Sequence, residues 1–228
     1  MKALILAAGK GRRMKGLTVR VPKPLLTVGG KTLLDHIFDA LPNEVNEVIV
    51  VIGYQGNLIR THLGDVYKGR TIHYVVQKAL NGTAKAVLLA KPHLENEKRF
   101  FIIYGDELPT KREMAECLSH PYSWLCHFIT TPISTGVAKL SKRSRIVEVV
   151  ERRRPPKPPF VSVGGVMLVG KELFAFRPWK HKNGEYYLTS MLEQFLKTYS
   201  VYAVMGKTDL YFTNREDIDK FNRSYIVS

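Results

Sequence analysis

The residue types best suited to chemistry lie in a glycine-rich, cationic segment near the start of the chain. An apolar run over residues 3–6 passes into small residues, and six basic side chains follow within the next seventeen positions. The candidate ligand-binding residues of this segment are Ala8, Gly9, Gly11, Arg12, Arg13 and Lys23. Unhindered backbone N–H groups and fixed positive side chains after a buried strand can surround one polyanion. The pattern therefore indicates a site for a nucleoside triphosphate.

Two better-known glycine loops do not fit this segment. The dinucleotide-binding fingerprint needs a third glycine where Met14 stands, and an acidic residue about 20 positions further on. Gly30-Lys31-Thr32 matches the end of a Walker A loop, but the leading glycine of that motif would fall on Leu25. For the glycines alone, a solvated strand-to-helix turn with exposed arginines is an equally good interpretation.

Composition limits the class of protein. A chain of 228 residues suits one domain, residues 1–228, with a substantial core. The formal net charge of +15 favours a polyanionic partner, whether nucleotide, sugar phosphate or nucleic acid, although charge alone cannot choose among them. Neither a long apolar run nor a secretory leader is present, so we expect a cytoplasmic protein with no membrane association. The oligomeric state stays open, a homo-oligomer included.

Apolar periodicity predicts alternating strands and helices in the first half. Strands are predicted at 3–6, 47–52, 71–76 and 100–104, and helices at 33–41, 55–63 and 83–91. Thr32 and Asp35 form a capping box at the start of the first helix. Such alternation implies right-handed crossovers and a doubly wound α/β fold with a mostly parallel sheet. Because ligands lie beyond the carboxyl ends of such strands, Gln77 and Asp106 should share one rim with the glycine loop.

The pattern becomes mixed after Asp106. A second capping box, Thr110 with Glu113, precedes a short helix, and Asn214 caps a last one. The remaining predicted elements are a hairpin of 136–140 with 145–151, a strand at 161–169 and a helix at 188–198.

The spacing of Gly9, Gly11 and Arg13, followed by Pro22-Lys23-Pro24 and an apolar helix, resembles the signature of the sugar-1-phosphate nucleotidylyltransferases. That family includes glucose-1-phosphate thymidylyl- and uridylyltransferases and mannose-1-phosphate guanylyltransferases. The resemblance implies a Rossmann-like catalytic domain alone, with a nucleotide-binding half (1–109) and a mixed, sugar-phosphate-binding half (110–228). It also implies that Arg13 and Lys23 act on the triphosphate.

Two further segments resemble the nucleotide half of the same family. Gln77, with Gly82 and Thr83, is similar to the segment that holds the base, and an amide with a donor and an acceptor can pair with uracil or thymine. UTP or dTTP is therefore favoured. The segment ending at Asp106 is similar to the one that carries the magnesium-binding aspartate, so the resemblance implies Mg²⁺. Without the resemblance, Gln77 is more often a surface residue and Gly105-Asp106 a common turn.

The resemblance also implies an acceptor site. Its members are Gly136, Glu151, Gly164, Glu185 and Thr189, with Arg152 on the sugar phosphate. Arg152 replaces the usual lysine, and Ser162-Val163-Gly164 replaces an Asn-x-Gly segment. The other basic residues at 153–157 also fit a solvated, proline-stiffened loop. Tyr211 stands where a second metal aspartate is usual, so either Asp209 takes that role or Asp106 acts alone.

We therefore predict transfer of a nucleotidyl group to a sugar-1-phosphate, giving an NDP-sugar and pyrophosphate. The acceptor phosphate is already a nucleophile at neutral pH, so catalysis needs alignment and charge neutralisation by Arg13, Lys23, Arg152 and Mg²⁺ on Asp106. One alternative keeps the chemistry but uses GTP with mannose-1-phosphate, or CTP with a polyol phosphate. Another is a catalytically silent subunit that binds nucleotide sugar or RNA, which Tyr211 and the net charge favour.

Overall fold

The computed structural model describes residues 1–131, 135–151, 154, 156–206, 216–219 and 222, without the side chains of Arg12, Arg13 and Lys15. Four sequence-based assignments therefore lie outside the described residues: Arg152, Asp209, Tyr211 and the cap at Asn214.

The described chain contains twelve strands and six α-helices. The strands are β1 (Lys2–Ala7), β2 (Thr27–Val28), β3 (Lys31–Thr32), β4 (Glu47–Ile52), β5 (Val66–Tyr67), β6 (Arg70–Val76), β7 (Phe100–Tyr104), β8 (Ser123–Ile129), β9 (Gly136–Leu140), β10 (Ile146–Glu151), β11 (Phe160–Val169) and β12 (Tyr202–Met205). The helices are α1 (Leu33–Ala40), α2 (Gly56–Leu63), α3 (Thr83–Leu89), α4 (Lys91–Leu94), α5 (Lys111–Leu118) and α6 (Thr189–Thr198). Short 3₁₀ segments run over Arg12–Thr18, Lys23–Leu25 and Lys171–Ala175.

Four parallel strands form the centre of a ten-stranded sheet, in the order β7, β1, β4, β6. Leu6 of β1 lies opposite Tyr104 of β7, and Ala7 lies opposite Ile52 of β4. The central three strands are apolar along almost their whole length because both faces of the sheet are covered. The predicted strands of the first half are confirmed.

The C-terminal half extends the same sheet in mixed orientation. β11 runs antiparallel to β7, and the predicted hairpin of β9 and β10 continues the sheet beyond it. β8 pairs antiparallel with β11, and β12 pairs parallel with β8. The sequence analysis assigned neither β8 nor β12. The α/β fold with a mixed second half is thus confirmed.

Helices cover both faces of the sheet. Alternate residues of β1 separate the two layers: Leu4 belongs to a core cluster that also includes buried residues of α3 and α6, and Ile5 to one that includes residues of α1, α2 and α5. Among the described helices, none has the length and apolar character needed to span a membrane.

Local signals fix the starts of α1 and α5. Both predicted capping boxes are present, at Thr32 with Asp35 and at Thr110 with Glu113. The helix predicted over 83–91 ends instead at Leu89, and α4 follows as a separate element. Pro92 explains the break, because it has no N–H to continue the ladder of the preceding turn.

Asp35 also belongs to a small polar cluster that joins α1 to α2 and β5. Its carboxylate accepts hydrogen bonds from Thr32 N–H and Tyr67 Oη, and His62 Nε2 lies 2.9 Å from Oδ1. Burial by itself raises the pKa of Asp35, but the hydrogen bonds from Tyr67, His62 and Thr32 outweigh it and hold this pKa well below its usual range. The charged form therefore stabilises the fold.

We expect Asp35→Asn to lower the free energy of unfolding at pH 7 by about 1–3 kcal/mol, because its partly buried partners lose a charged acceptor. This stabilisation is complete above the unfolded-state pKa of 3.8 and is lost as the pH falls through the lower folded-state pKa. Urea unfolding should therefore show a gap between wild type and variant that narrows as the pH falls below 3.8.

Asp39→Asn is the matched control, since Asp39 lies on the same helix but pairs with Lys31 and Lys68 at the surface. Its loss should cost less than about 1 kcal/mol. An Asp35→Asn protein as stable as wild type at pH 7 would contradict this account.

Candidate active site

A cavity of about 750 Å³ opens beyond the carboxyl ends of the parallel strands. It is lined by residues that the sequence analysis assigned to both halves: Ala8, Gly9, Gly11, Lys23, Gln77, Gly82, Thr83, Asp106 and Glu185. Strands β1, β6 and β7 bring the first eight together, and the segment before α6 contributes Glu185. A volume of this size accommodates a nucleotide-sized ligand.

The glycine loop turns sharply at Gly11. Its φ of +58° lies in the left-handed region, and a Cβ there would lie 3.0 Å from Thr18 Cγ2 and 3.1 Å from Lys23 Cβ. Thr18 Oγ1 also donates a hydrogen bond to the Gly11 carbonyl oxygen at 3.2 Å. Only glycine therefore allows the loop to pack this closely against Lys23, whereas the neighbouring Gly9 has open space around it.

Lys23 and Asp106 form an ion pair within this cavity. Lys23 Nζ donates to Asp106 Oδ2 at 2.5 Å; the lysine side chain is 17% exposed and the aspartate side chain is 40% exposed. Pro22 precedes the 3₁₀ segment that carries Lys23, and the ring of Pro24 would lie 3.1 Å from a Cβ on Gly105. The proline-flanked lysine and the aspartate after β7 thus meet because Gly105 lets the two segments approach.

Glu107 directly follows Asp106, and the sequence does not predict a role for it. Its Oε1 accepts a hydrogen bond from Gly165 N–H at 2.6 Å, and a Cβ on Gly165 would lie 2.6 Å from Glu107 Cγ. Desolvation by the surrounding protein, reinforced by the Asp106 charge, raises the pKa of Glu107 to about 7. The position of Glu107 beside Asp106 is the local signal in the sequence that could have pointed to it. Its hydrogen-bond partner, Gly165, lies 58 residues further along the chain.

Gln77 is buried at the end of β6, and its amide is largely committed to the neighbouring loop. Its Nε2 donates to the Gly82 carbonyl oxygen at 3.1 Å and to Asn81 Oδ1 at 3.4 Å. The sequence predicts that this amide pairs with a base through both a donor and an acceptor. The structure engages the amide nitrogen within the protein, which leaves the carbonyl oxygen as the group for a ligand.

The loop at residues 81–84 joins the two halves of the chain. Tyr186 N–H donates to the Asn81 carbonyl oxygen, and Ala84 N–H donates to that of Tyr186, both at 2.9 Å. Thr83 Oγ1 accepts from Leu188 N–H at 2.9 Å, so the Thr83 hydroxyl supports the joint as well as lining the cavity. The base-side loop and the segment before α6 therefore form one wall.

Three predicted acceptor residues meet next to this wall. Thr189 Oγ1 donates to Glu151 Oε1 at 2.6 Å, and Gly136 lies opposite Glu151 in the β9–β10 hairpin. Burial raises the pKa of the Tyr187 phenol; the hydrogen bond from Asn183 opposes this rise, and the nearby carboxylates of Glu185 and Glu151 add to it. Tyr187 also lines the cavity, so its ring links the cavity to the Glu151 group.

Gly164 lies elsewhere. Trp124 Nε1 donates to its carbonyl oxygen at 2.6 Å, and a Cβ there would lie 2.8 Å from His127 Nε2. Both contacts are to β8, so Gly164 packs against that strand, and its neighbour Gly165 is the glycine that contacts Glu107. The two glycines occupy the irregular stretch where β11 leaves β7 and pairs with β9.

Asp106 carries the features of a hard-cation ligand. Its carboxylate is partly exposed in the cavity, and the Lys23 ammonium already occupies one of its oxygens as a stand-in for a cation. Mg²⁺ is often held by one carboxylate plus substrate phosphates, so this residue fits the ion. In the described part of the chain, no cluster of three or more His, Cys, Asp or Glu side chains could hold a metal.

Most of the chain matches a known protein family. A family profile described as Nucleotidyl transferase matches residues 2–210. The chain is 27% identical over 234 residues to the bifunctional protein GlmU of Methanocaldococcus jannaschii, covering 97% of this chain and 55% of that protein. It is 38% identical over 109 residues to the UTP–glucose-1-phosphate uridylyltransferase AglF of Haloferax volcanii, covering 47% and 44% of the two chains. The chain spans about half the length of the curated relatives it matches.

Solved structures share the fold. A Bacillus anthracis protein described as a glucose-1-phosphate thymidylyltransferase, in complex with sucrose, superposes with a TM-score of 0.83 at 22% identity, covering 99% of this chain and 95% of that one. A UDP-glucose pyrophosphorylase bound to UDP-glucose also gives 0.83, at 20% identity, covering 99% and 98%.

The joint between the halves should not tolerate a side chain at Gly82. A Cβ there would lie 2.3 Å from the Tyr186 carbonyl oxygen, and φ is +114°. We expect Gly82→Ala to lower the unfolding free energy by at least about 2 kcal/mol, because backbone must move. Gly16→Ala is the control, since no described atom beyond its two chain neighbours lies within 4 Å of its Cβ position. Equal stability of the two variants in chemical denaturation would refute the proposed packing.

Proposed function

We propose that this chain, which belongs to the nucleotidyl transferase family, is a sugar-1-phosphate nucleotidylyltransferase. In this reaction an NTP and a sugar-1-phosphate give an NDP-sugar and pyrophosphate. The observation that carries the proposal is the Lys23–Asp106 pair, an ammonium and a carboxylate 2.5 Å apart in a cavity that also contains the glycine loop. We assign the ammonium to the phosphates and the carboxylate to the metal. Carboxylates of the C-terminal half adjoin that cavity.

The chemistry requires alignment more than acid–base catalysis. An oxygen of the sugar phosphate attacks the α-phosphorus of the NTP, the bond from that phosphorus to the bridging oxygen breaks, and pyrophosphate leaves. The attacking oxygen is already anionic at neutral pH, so no side chain has to remove a proton. Lys23 and the backbone N–H groups near Gly9 then stabilise negative charge on the triphosphate. We assign Arg13 to the same task and Arg152 to the acceptor phosphate, as the sequence predicts.

Mg²⁺ is proposed as the cofactor, held by Asp106 and the phosphates. The ion would neutralise the departing pyrophosphate. Asp209 remains a predicted second ligand, because it lies outside the described residues.

The proposed base is uracil or thymine. The Gln77 carbonyl oxygen can accept a hydrogen bond from N3–H of either base, and its nitrogen holds the loop at Gly82 in place. Two proteins named above, the uridylyltransferase from Haloferax volcanii and the pyrophosphorylase bound to UDP-glucose, support uridine nucleotides. Guanine N1–H can also donate to the Gln77 carbonyl oxygen, so GTP has to be compared with UTP and dTTP by experiment.

The proposed acceptor is a hexose-1-phosphate. The carboxylates of Glu151 and Glu185 both act on the Tyr187 phenol, and carboxylates accept hydrogen bonds from sugar hydroxyls. Thr189 and Gly136 fix Glu151 in place. A cytoplasmic location remains a prediction from the sequence, and the sequence leaves both the oligomeric state and nucleic-acid binding open.

The direct test is pyrophosphate release with UTP, dTTP, GTP, CTP or ATP, each combined with a panel of sugar-1-phosphates and Mg²⁺. We expect UTP or dTTP with a hexose-1-phosphate to give the highest kcat/KM. Lys23→Ala should reduce that value by about a hundredfold, as for loss of one charge-stabilising group, with little change in stability. Release that is absent with every pair would favour the silent nucleotide-sugar- or RNA-binding subunit, and a majority of GTP-derived product would refute the base assignment.

Glu151 should affect the acceptor and spare the nucleotide. We expect Glu151→Gln to raise KM for the sugar phosphate by about tenfold while KM for the NTP stays within about twofold. Glu148→Gln serves as the control, because Glu148 lies on the same strand but pairs with Lys139 at the surface. A change in the KM for the NTP alone would contradict the placement of the acceptor.

A further inference from the structure

We propose that the Lys23 ammonium is the resident cation of the free protein, which keeps free divalent metal ions off Asp106 until a nucleotide arrives. The inference deepens the proposed function, since it rests on Asp106 as the metal ligand and Lys23 as a triphosphate ligand. It concerns how these two residues share their charges before any substrate binds.

The contact between the two groups is short and enclosed on the lysine side. Nζ lies 2.5 Å from Asp106 Oδ2, and only 17% of the lysine side chain is exposed. The backbone of Lys23 is held between Pro22 and Pro24, and Leu26 N–H donates to its carbonyl oxygen at 3.0 Å. A long side chain anchored in this way directs its charge to one place, the carboxylate after β7.

That placement opposes a second cation on the same carboxylate. A divalent ion bound to Asp106 would lie within about 4 Å of the ammonium, where two like charges repel even in water. Mg²⁺ also gives up its waters reluctantly to a single carboxylate. In the absence of phosphate oxygens to separate the two cations, the metal site should therefore be weak.

A triphosphate changes this balance. The glycine loop, Lys23 and Asp106 line the same cavity, so phosphate oxygens held by the loop can reach both residues. The ammonium then exchanges its carboxylate partner for phosphate, and the freed Asp106 oxygen becomes available to a metal that the same phosphates also coordinate. The nucleotide and its metal therefore enter together, and an unproductive complex with metal alone is avoided.

A purely structural ion pair makes the opposite prediction. If Lys23 only stabilises the loop, its removal should loosen Asp106 and leave metal affinity unchanged or lower. If Lys23 competes with the metal, its removal should raise that affinity. The two interpretations thus differ in sign.

The test is Mn²⁺ binding without nucleotide, read from the free-ion signal in electron paramagnetic resonance. Lys23→Gln should bind Mn²⁺ at least about thirtyfold more tightly than wild type, because a unit charge about 4 Å from a divalent ion repels it by that factor even at the dielectric constant of water. Lys23→Arg keeps the charge and should stay weak. Adding Asp106→Asn to Lys23→Gln should abolish the gain.

Lys10→Gln is the matched control, because Lys10 is an exposed lysine that lines the same cavity. It loses the same charge, and its Mn²⁺ affinity should change by less than about twofold. Thermal unfolding verifies that each variant is folded, and Lys23→Met, which keeps the apolar stem, replaces Lys23→Gln if the latter does not fold.

Unchanged or weaker Mn²⁺ binding in the folded Lys23→Gln or Lys23→Met protein would overturn the inference, as would an equal gain in Lys10→Gln. These outcomes are independent of turnover. A protein that shows the expected Mn²⁺ pattern but releases no pyrophosphate would retain the resident cation and lose the proposed function.

Discussion

The parallel pairing of β1 with its two neighbours is the constraint on which the candidate site depends. Leu6 lies opposite Tyr104 and Ala7 opposite Ile52, so three strands end at nearly the same level. The pairing continues past the strands: Gly105 N–H donates to the Leu6 carbonyl oxygen at 3.0 Å. A one-residue slip would reverse which face each side chain meets, and Asp106 would no longer face Lys23.

Backbone contacts also attach the C-terminal half to the carboxyl ends of these strands. Backbone hydrogen bonds between residues 81–84 and 186–188 place Glu185 and Tyr187 on the cavity wall, and Thr189 continues to Glu151. Gly82 is essential to this contact, because a side chain there would overlap Tyr186. The consequence is that a nucleotide and an acceptor would occupy adjoining parts of one enclosure. Such proximity, together with neutralisation of the phosphate charges, is what a protein can contribute to a reaction with an already ionised nucleophile.

Local signals in the sequence predict much of this arrangement. Strands β4 and β7 have the predicted bounds because a strand buried on both faces is a short, continuous apolar run. The capping boxes are read from two residues each. In contrast, β8 carries Ser123 and His127 in buried positions, which breaks its apolar pattern and explains why it was not assigned. Hydrogen bonds between distant or loop residues could not be predicted in the same way. No local pattern indicates that Glu107 accepts a hydrogen bond from Gly165, or that the Gln77 amide nitrogen donates to the Gly82 carbonyl oxygen.

The most direct measurement is a crystal structure of the protein with Mg²⁺ and UDP-glucose. We expect this structure to place uracil beside Gln77, the diphosphate next to Lys23 and Asp106, and the hexose between Glu151 and Glu185. A nucleotide bound outside this cavity, or a hexose directed away from both glutamates, would contradict it.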